Sequence, residues 1–238
     1  MTDFLSVPFY DLLAEESHVP RIRETLPPVL EGVRRSILEI GAGTGLITMS
    51  LAEWTPAEIF ALEPSAGMRG VLLSRLSGRP DLLERVTVLP CDALSVNLDG
   101  EPVEAVVMIN VMYALEPGYR KRLWPVLAAH LEPGGLLVFT WRGGGGGGAP
   151  APRPLQEVHS RQVGRHTYRV SLEIVESTEE AYKGRYLYRI TQGDRVVSEE
   201  EIVGHGYRPT WETLQEELVS AGFVQSDAPE GLLAWRRT

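Results

Sequence analysis

The sequence predicts an α/β fold: a mostly parallel sheet with helices on both faces, plus an antiparallel β insert. Three observations predict it. Between Ser36 and Gly45 the chain reads S-I-L-E-I-G-A-G-T-G, an apolar run that ends in the alternating glycines Gly41, Gly43 and Gly45. From there to Trp141, apolar runs alternate with helical patterns, as in a parallel sheet covered on both faces. From Arg165 to Tyr207 the apolar period drops to two, which marks antiparallel strands.

Residues 1–34 are expected to form N-terminal helices. The stretch 8–33 carries one or two amphipathic patterns, broken near Pro20 and closed by Gly32. The core is expected over 35–142 and 209–238. Its first five strands are the apolar runs Ser36–Ile40, Glu58–Glu63, Val86–Pro90, Val103–Asn110 and Leu136–Trp141. Helical patterns fill Gly45–Trp54, Ser65–Leu76 and Tyr119–Leu131, and the turn Glu132-Pro133-Gly134-Gly135 precedes the fifth strand. Residues 143–154 hold the glycine run Gly143 to Gly148 and then A-P-A-P-R-P, a composition that reads as a flexible loop. A tolerated insertion is the plainer account, although the run leaves the C-terminal end of a parallel strand, where such sheets bind ligands. Residues 155–208 form the insert, with three strands expected between Arg165 and Tyr207 and a hairpin turn at Gln192-Gly193-Asp194. Thr210 caps a last helix that Gly222 ends. Phe223–Ser226 and Leu232–Arg236 then close the sheet as a hairpin, for seven strands in all.

Composition excludes several classes. The formal net charge is −9 and no basic run occurs, which disfavours non-specific nucleic-acid or anionic-membrane binding. Cys91 is the single cysteine, so no internal disulfide and no thiolate metal site is expected. No signal-like segment opens the chain and no apolar run is long enough to span a bilayer, so a cytoplasmic protein is expected. With only Lys121 and Lys183 as lysines, nearly all the basic charge is arginine, and with abundant Ala, Gly and Pro this points to a GC-rich bacterial genome.

Four elements fall at C-terminal strand ends, on one rim of the sheet. The glycine turn departs from the dinucleotide spacing G-x-G-x-x-G, because its third glycine comes one residue early. Glu39, two residues before Gly41, would repel a pyrophosphate and suits a ligand with positive charge. Glu63 ends the second strand and can accept both hydroxyls of a ribose. Asp92 ends the third and can accept from an exocyclic amine such as adenine N6. Asn110-Val111-Met112-Tyr113 leaves the fourth beside the glycine turn.

On these residues the chain resembles the class I S-adenosylmethionine-dependent methyltransferases. The matching segments are E-I-G-A-G-T-G, Glu63 with Pro64 and Met68, C-D-A, E-A-V-V-M-I-N-V and L-E-P-G-G-L-L-V-F, covering about 30–142 and 210–236. The resemblance implies a Rossmann-like seven-stranded sheet and S-adenosyl-L-methionine as cofactor, with S-adenosyl-L-homocysteine as product. It implies that Gly41, Ala42 and Gly43 pack against the methionine and ribose, and that Glu39 lies near the charged amino acid end. Glu63 and Pro64 would serve the ribose side, Met68, Asp92 and Ala93 the adenine, and Asn110 and Val111 the wall beside the glycines. V-P-F-Y-D-L-L resembles the family's lid helix, in which Tyr10 would touch the cofactor. The insert, ending H-G-Y-R-P-T-W-E-T-L, resembles that of amino-sugar N,N-dimethyltransferases and related natural-product enzymes, and would roof the active site. A small-molecule acceptor is expected, an amine or a hydroxyl. A protein or RNA methyltransferase and a cofactor-binding protein that transfers no methyl group are the alternatives. A homodimer is left open.

Within that reading His205 is the candidate general base, since imidazole accepts protons near neutrality; a satisfied strand histidine is the plainer account. Tyr113 follows the fourth strand, where acceptor and methyl group would meet, and shaping the pocket suits it better than base catalysis. His130 ends a helix and needs no further role. His18, His159 and His166 have no partners at ligand spacing, and no metal cluster is expected. Trp141 and Arg142 leave the fifth strand as either substrate contacts or rim residues.

Overall fold

A computed structural model describes residues 6–141 and 151–238. The glycine run and Arg142 lie outside the described residues. Two helices open the chain, α1 (Val7–Ser17) and α2 (Val19–Val29). They part at His18 rather than at Pro20, which occupies the second position of α2, where a missing N–H costs nothing.

The core then alternates β1 (Ser36–Ile40), α3 (Leu46–Trp54), β2 (Glu58–Leu62), α4 (Ala66–Ser77), β3 (Val86–Leu89), β4 (Val103–Met108), α5 (Pro117–His130) and β5 (Leu131–Thr140). Near its start β5 includes the expected E-P-G-G turn as an irregularity: Val103 pairs with Leu131, but Ala105 pairs with Leu136. The insert follows as β6 (Arg153–Val163), β7 (His166–Ser177), β8 (Ala181–Gln192) and β9 (Arg195–Tyr207). The chain closes with α6 (Trp211–Ser220), β10 (Phe223–Ser226) and β11 (Leu232–Arg237).

The large sheet runs in the order β10-β11-β5-β4-β1-β2-β3. Strands β1 to β5 are parallel, and β11 is antiparallel to both β5 and β10. Both faces are covered, so the central strands are apolar almost throughout. Ile37, Ala105 and Val107 face one core with α2, α3 and α4. Leu38, Ile40, Val106 and Met108 face the other with α5 and α6. The chain reverses its direction across the sheet between β1 and β4, which opens a crevice at their C-terminal ends.

The insert has four strands, not three, in the order β6-β7-β8-β9. The additional strand, β6, is an edge strand exposed along nearly its whole length, so it lacks the alternation that reveals a half-buried strand. Arg153 and Pro154, expected in the loop 143–154, belong to it. Pro at an edge strand breaks no ladder bond that matters. Among the described residues no helix is long and apolar enough to cross a membrane.

Candidate active site

The glycine turn follows β1 at the switch point. Gly41, Gly43 and Gly45 have φ of 72°, 58° and 85°, a region that residues with a Cβ enter at a cost. The N–H groups of Gly41 and Ala42 both donate to Leu62 O at 2.9 Å, holding the turn against the end of β2. A Cβ on Gly41 would stand 2.7 Å from Val111 Cγ2. The turn and the start of the segment after β4 therefore touch, at Gly41 and Val111.

Two acids flank the turn. Glu39 is 2% exposed and accepts from Thr48 Oγ1 at 2.6 Å. Burial pushes its carboxyl up to about 7, against the pull of the Thr48 bond, and nearby Glu63 adds to the rise. Among the described residues Glu39 has no ion-pair partner. Glu63, also buried, accepts from Gly43 N–H at 2.9 Å and from Ser65 N–H at 2.8 Å. These bonds aim its carboxylate at the turn. Ser65 in turn caps α4 by accepting from Met68 N–H at 3.4 Å, and Met68 is buried beside it.

Tyr10 brings α1 onto the turn. A Cβ on Gly43 would lie 3.6 Å from its ring. Burial, with Asp11, Glu39 and Glu63 close by, pushes its phenol up to about 12. The neighbouring Asp11 accepts from Thr44 Oγ1 at 2.5 Å and pairs with Arg75, whose Nε donates to Thr44 O at 2.9 Å. This Asp11–Thr44–Arg75 latch fixes the helix to the turn, and nothing in the sequence announced it. His18 lines the same recess as Tyr10, Glu39 and Gly41.

On the far side lies a pocket of about 500 Å³ lined by Pro64, Asp92, Ser95, Leu115, Glu116 and Tyr119. Asp92 is exposed there, and its Oδ1 accepts from Leu94 N–H at 2.8 Å and from Tyr119 OH at 3.4 Å. The Ala93 side chain, by contrast, points into the core, so only its backbone can serve the pocket. Asn110 follows β4 in a left-handed conformation (φ 56°) and donates its N–H to Thr140 Oγ1 at 2.6 Å. It lies beyond the strand, which stops at Met108.

Tyr113 sits in a short 3-10 turn, Met112–Ala114. It lies near enough to Tyr186 and Tyr188 of β8 to raise both phenols, after burial itself. Tyr182 OH is 3.3 Å from Tyr186 OH, and the Tyr186 and Tyr188 rings stack with centroids 6.5 Å apart, so the insert presents a cluster of tyrosines on the side of Tyr113. His205 is not among them. It is exposed, pairs across β8–β9 with Lys183, and alternates with Gly204 and Gly206, which face the tyrosines. The structure therefore leaves the candidate base on the outer face of the insert, in keeping with the plainer account of a strand histidine. Trp141 donates its indole N–H to Pro209 O at 3.2 Å and packs on Trp211, which makes it a tie between β5 and α6. His130 Nδ1 lies 2.9 Å from Val126 O, within its own helix.

Residues 37–135 match the family model described as a methyltransferase domain. No curated protein matches the chain in sequence. Solved structures share its fold over nearly the full length. DesVI of Streptomyces venezuelae superposes with a TM-score of 0.76 at 18% identity, covering 97% of this chain and 98% of its own. CalS10 of Micromonospora echinaspora, described as an amino pentose methyltransferase bound to SAM, gives 0.74 at 17%, covering 100% and 99%. KedS8 of a Streptoalloteichus species, described as a sugar N-methyltransferase, gives 0.70 at 20%, covering 96% and 92%.

Proposed function

We infer, from a chain that carries a methyltransferase domain on the Rossmann-like class I methyltransferase fold, that it transfers a methyl group from S-adenosyl-L-methionine to an amine of a small molecule. One observation carries the cofactor reading. Glu39 is a buried acid with no ion pair among the described residues, at the foot of a glycine turn that admits no further side chain at Gly41. Such a place suits an ammonium and a sulfonium, and rejects phosphate. Bound there, S-adenosylmethionine supplies an activated methyl group and a neutral thioether as leaving group.

The residues divide the remaining work. Glu39 balances the amino acid end, Glu63 takes the ribose hydroxyls, and Asp92 takes the exocyclic amine of adenine. Pro64 and Met68 border the nucleoside, and Asn110 and Val111 wall the turn. Tyr10 covers the glycines and excludes water. Tyr113 and the insert tyrosines hold the acceptor in line with the methyl group, which is where most of the rate gain arises. The phenols of Tyr186 and Tyr188 are held above the ordinary tyrosine value and His205 faces away, so these groups offer no base. An amine that arrives neutral needs none, and this favours nitrogen over a hydroxyl acceptor. The descriptions of CalS10 and KedS8 support an amino sugar or similar amine in specialised metabolism. The bacterial sources of these neighbours and the arginine-rich composition support a bacterial cytoplasmic enzyme.

Incubation with methyl-labelled cofactor and a panel of amino sugars, amines and phenols tests this reading. Label should pass to an amine with formation of S-adenosylhomocysteine. Tight cofactor binding with no transfer across the panel would refute it. In calorimetry Glu63→Ala should weaken S-adenosylhomocysteine by about ten- to a hundredfold, the worth of hydrogen bonds to a charged group. An unchanged affinity would remove Glu63 from the ribose.

A further inference from the structure

We propose that Tyr119 is a further determinant of cofactor affinity: its hydroxyl occupies the hydrogen-bonding positions of the adenine edge and is displaced when the nucleoside enters. The proposal rests on the adenine reading of Asp92. Tyr119 lies in the first turn of α5, half-buried, in the wall of the pocket that Pro64 and Asp92 share. Its O–H donates to Asp92 Oδ1 at 3.4 Å. The positive ends of the Leu94 and Ala93 N–H groups face the same phenol oxygen and favour its charged form, while burial and Asp92 disfavour it.

A donor directed at a carboxylate, joined to an acceptor facing backbone N–H groups, is the pattern that adenine presents through its 6-amino group and the adjacent ring nitrogen. One phenol oxygen supplies both halves of that pattern here. Asp92 Oδ1 also accepts from Leu94 N–H at 2.8 Å, so Tyr119 and an amine directed at Oδ1 compete for the capacity left on that oxygen. The exchange is inexpensive in either direction. The pocket groups keep partners in the free enzyme, and the phenol is released to a half-exposed rim when the nucleoside arrives. A side chain in a first helical turn has two open χ1 wells, so the movement needs no change in α5 itself.

The consequence is a tax on binding: part of the adenine contact energy is spent on displacing the phenol. Tyr119→Phe removes the competitor and keeps the ring. Its affinity for S-adenosylhomocysteine in calorimetry should rise about three- to tenfold, one modest hydrogen bond. Thermal unfolding of the same variant checks that the fold is retained. Asp92→Ala should weaken the wild-type protein and erase the gain from Tyr119→Phe in the double variant. If Tyr119→Phe binds equally or more weakly while Asp92→Ala still weakens binding, the displacement proposal is overturned and the adenine site stands. If Asp92→Ala leaves affinity unchanged, the adenine assignment itself fails.

Discussion

Glu39 is a carboxyl group kept out of water and hydrogen-bonded by Thr48, and that has a cost that can be measured. Burial, the chief cause, pushes its carboxyl from the ordinary 4.5 up to about 7 in the fold. The native state therefore holds this proton more tightly than the unfolded chain. The stability it contributes is complete below about pH 4.5 and is lost as pH rises to about 7. At about 1.4 kcal/mol for each pH unit, the loss is about 3 kcal/mol. Glu39→Gln keeps an acceptor for Thr48 and carries no charge. It should be more stable than the wild type by about 3 kcal/mol at pH 8 and nearly equal to it at pH 4.5, measured by urea denaturation without cofactor. The same variant should bind S-adenosylhomocysteine more weakly at pH 8, because the amino end loses its counter-charge. A variant that gains stability and keeps full affinity would mean that Glu39 serves only the turn. The acid itself was legible, since it stands two residues before the first glycine. That it makes no ion pair among the described residues was not, because pairing is a property of the packed fold.

Among the elements, α5 and α6 are joined by a buried ion pair. Arg120 is 1% exposed and donates to both oxygens of Glu217, at 2.7 and 3.0 Å, and Trp124 Nε1 donates to the same carboxylate at 2.9 Å. The clamp seats the helix that follows the insert against the helix that carries Tyr119. Removing one partner strands the other charge, so Glu217→Gln should cost about 3 kcal/mol or more in chemical denaturation. Replacing Arg120 by Met in the same chain should recover much of that loss, since no unpaired charge then remains. Neither residue was legible as half of a pair, because 97 positions separate them and no local pattern links their spacing. The parallel strands were legible for the opposite reason: burial on both faces writes a continuous apolar run. Strand β6 escaped notice because burial writes almost nothing on an exposed edge. His205 misled in a similar way. Alternation along β9 decides which face it takes, and two glycines beside it hide the alternation from the sequence.

At the scale of the whole molecule, α1 joins the two sheets through three consecutive residues. Phe9 packs into the insert, with its ring centroid 5.2 Å from that of Tyr168 and 5.1 Å from that of Tyr188. Tyr10 lies over Gly43, and Asp11 holds Thr44 and Arg75. The insert sheet, whose tyrosines are proposed to hold the acceptor, is thereby tied to the turn that would hold the cofactor. The tie has a directional consequence. Phe9 has no place at the cofactor, yet its loss frees the helix that positions Tyr10. Phe9→Ala should destabilise the protein by about 3–5 kcal/mol, as truncation of a buried aromatic does. It should also weaken S-adenosylhomocysteine, and raise KM for the acceptor, under conditions where circular dichroism reports a folded chain. Tyr10→Phe keeps both the ring and the Phe9 anchor, so it should leave the stability within about 1 kcal/mol of wild type. If Phe9→Ala loses stability alone, with cofactor affinity and KM unchanged, then the two sheets act independently and α1 is only a cover.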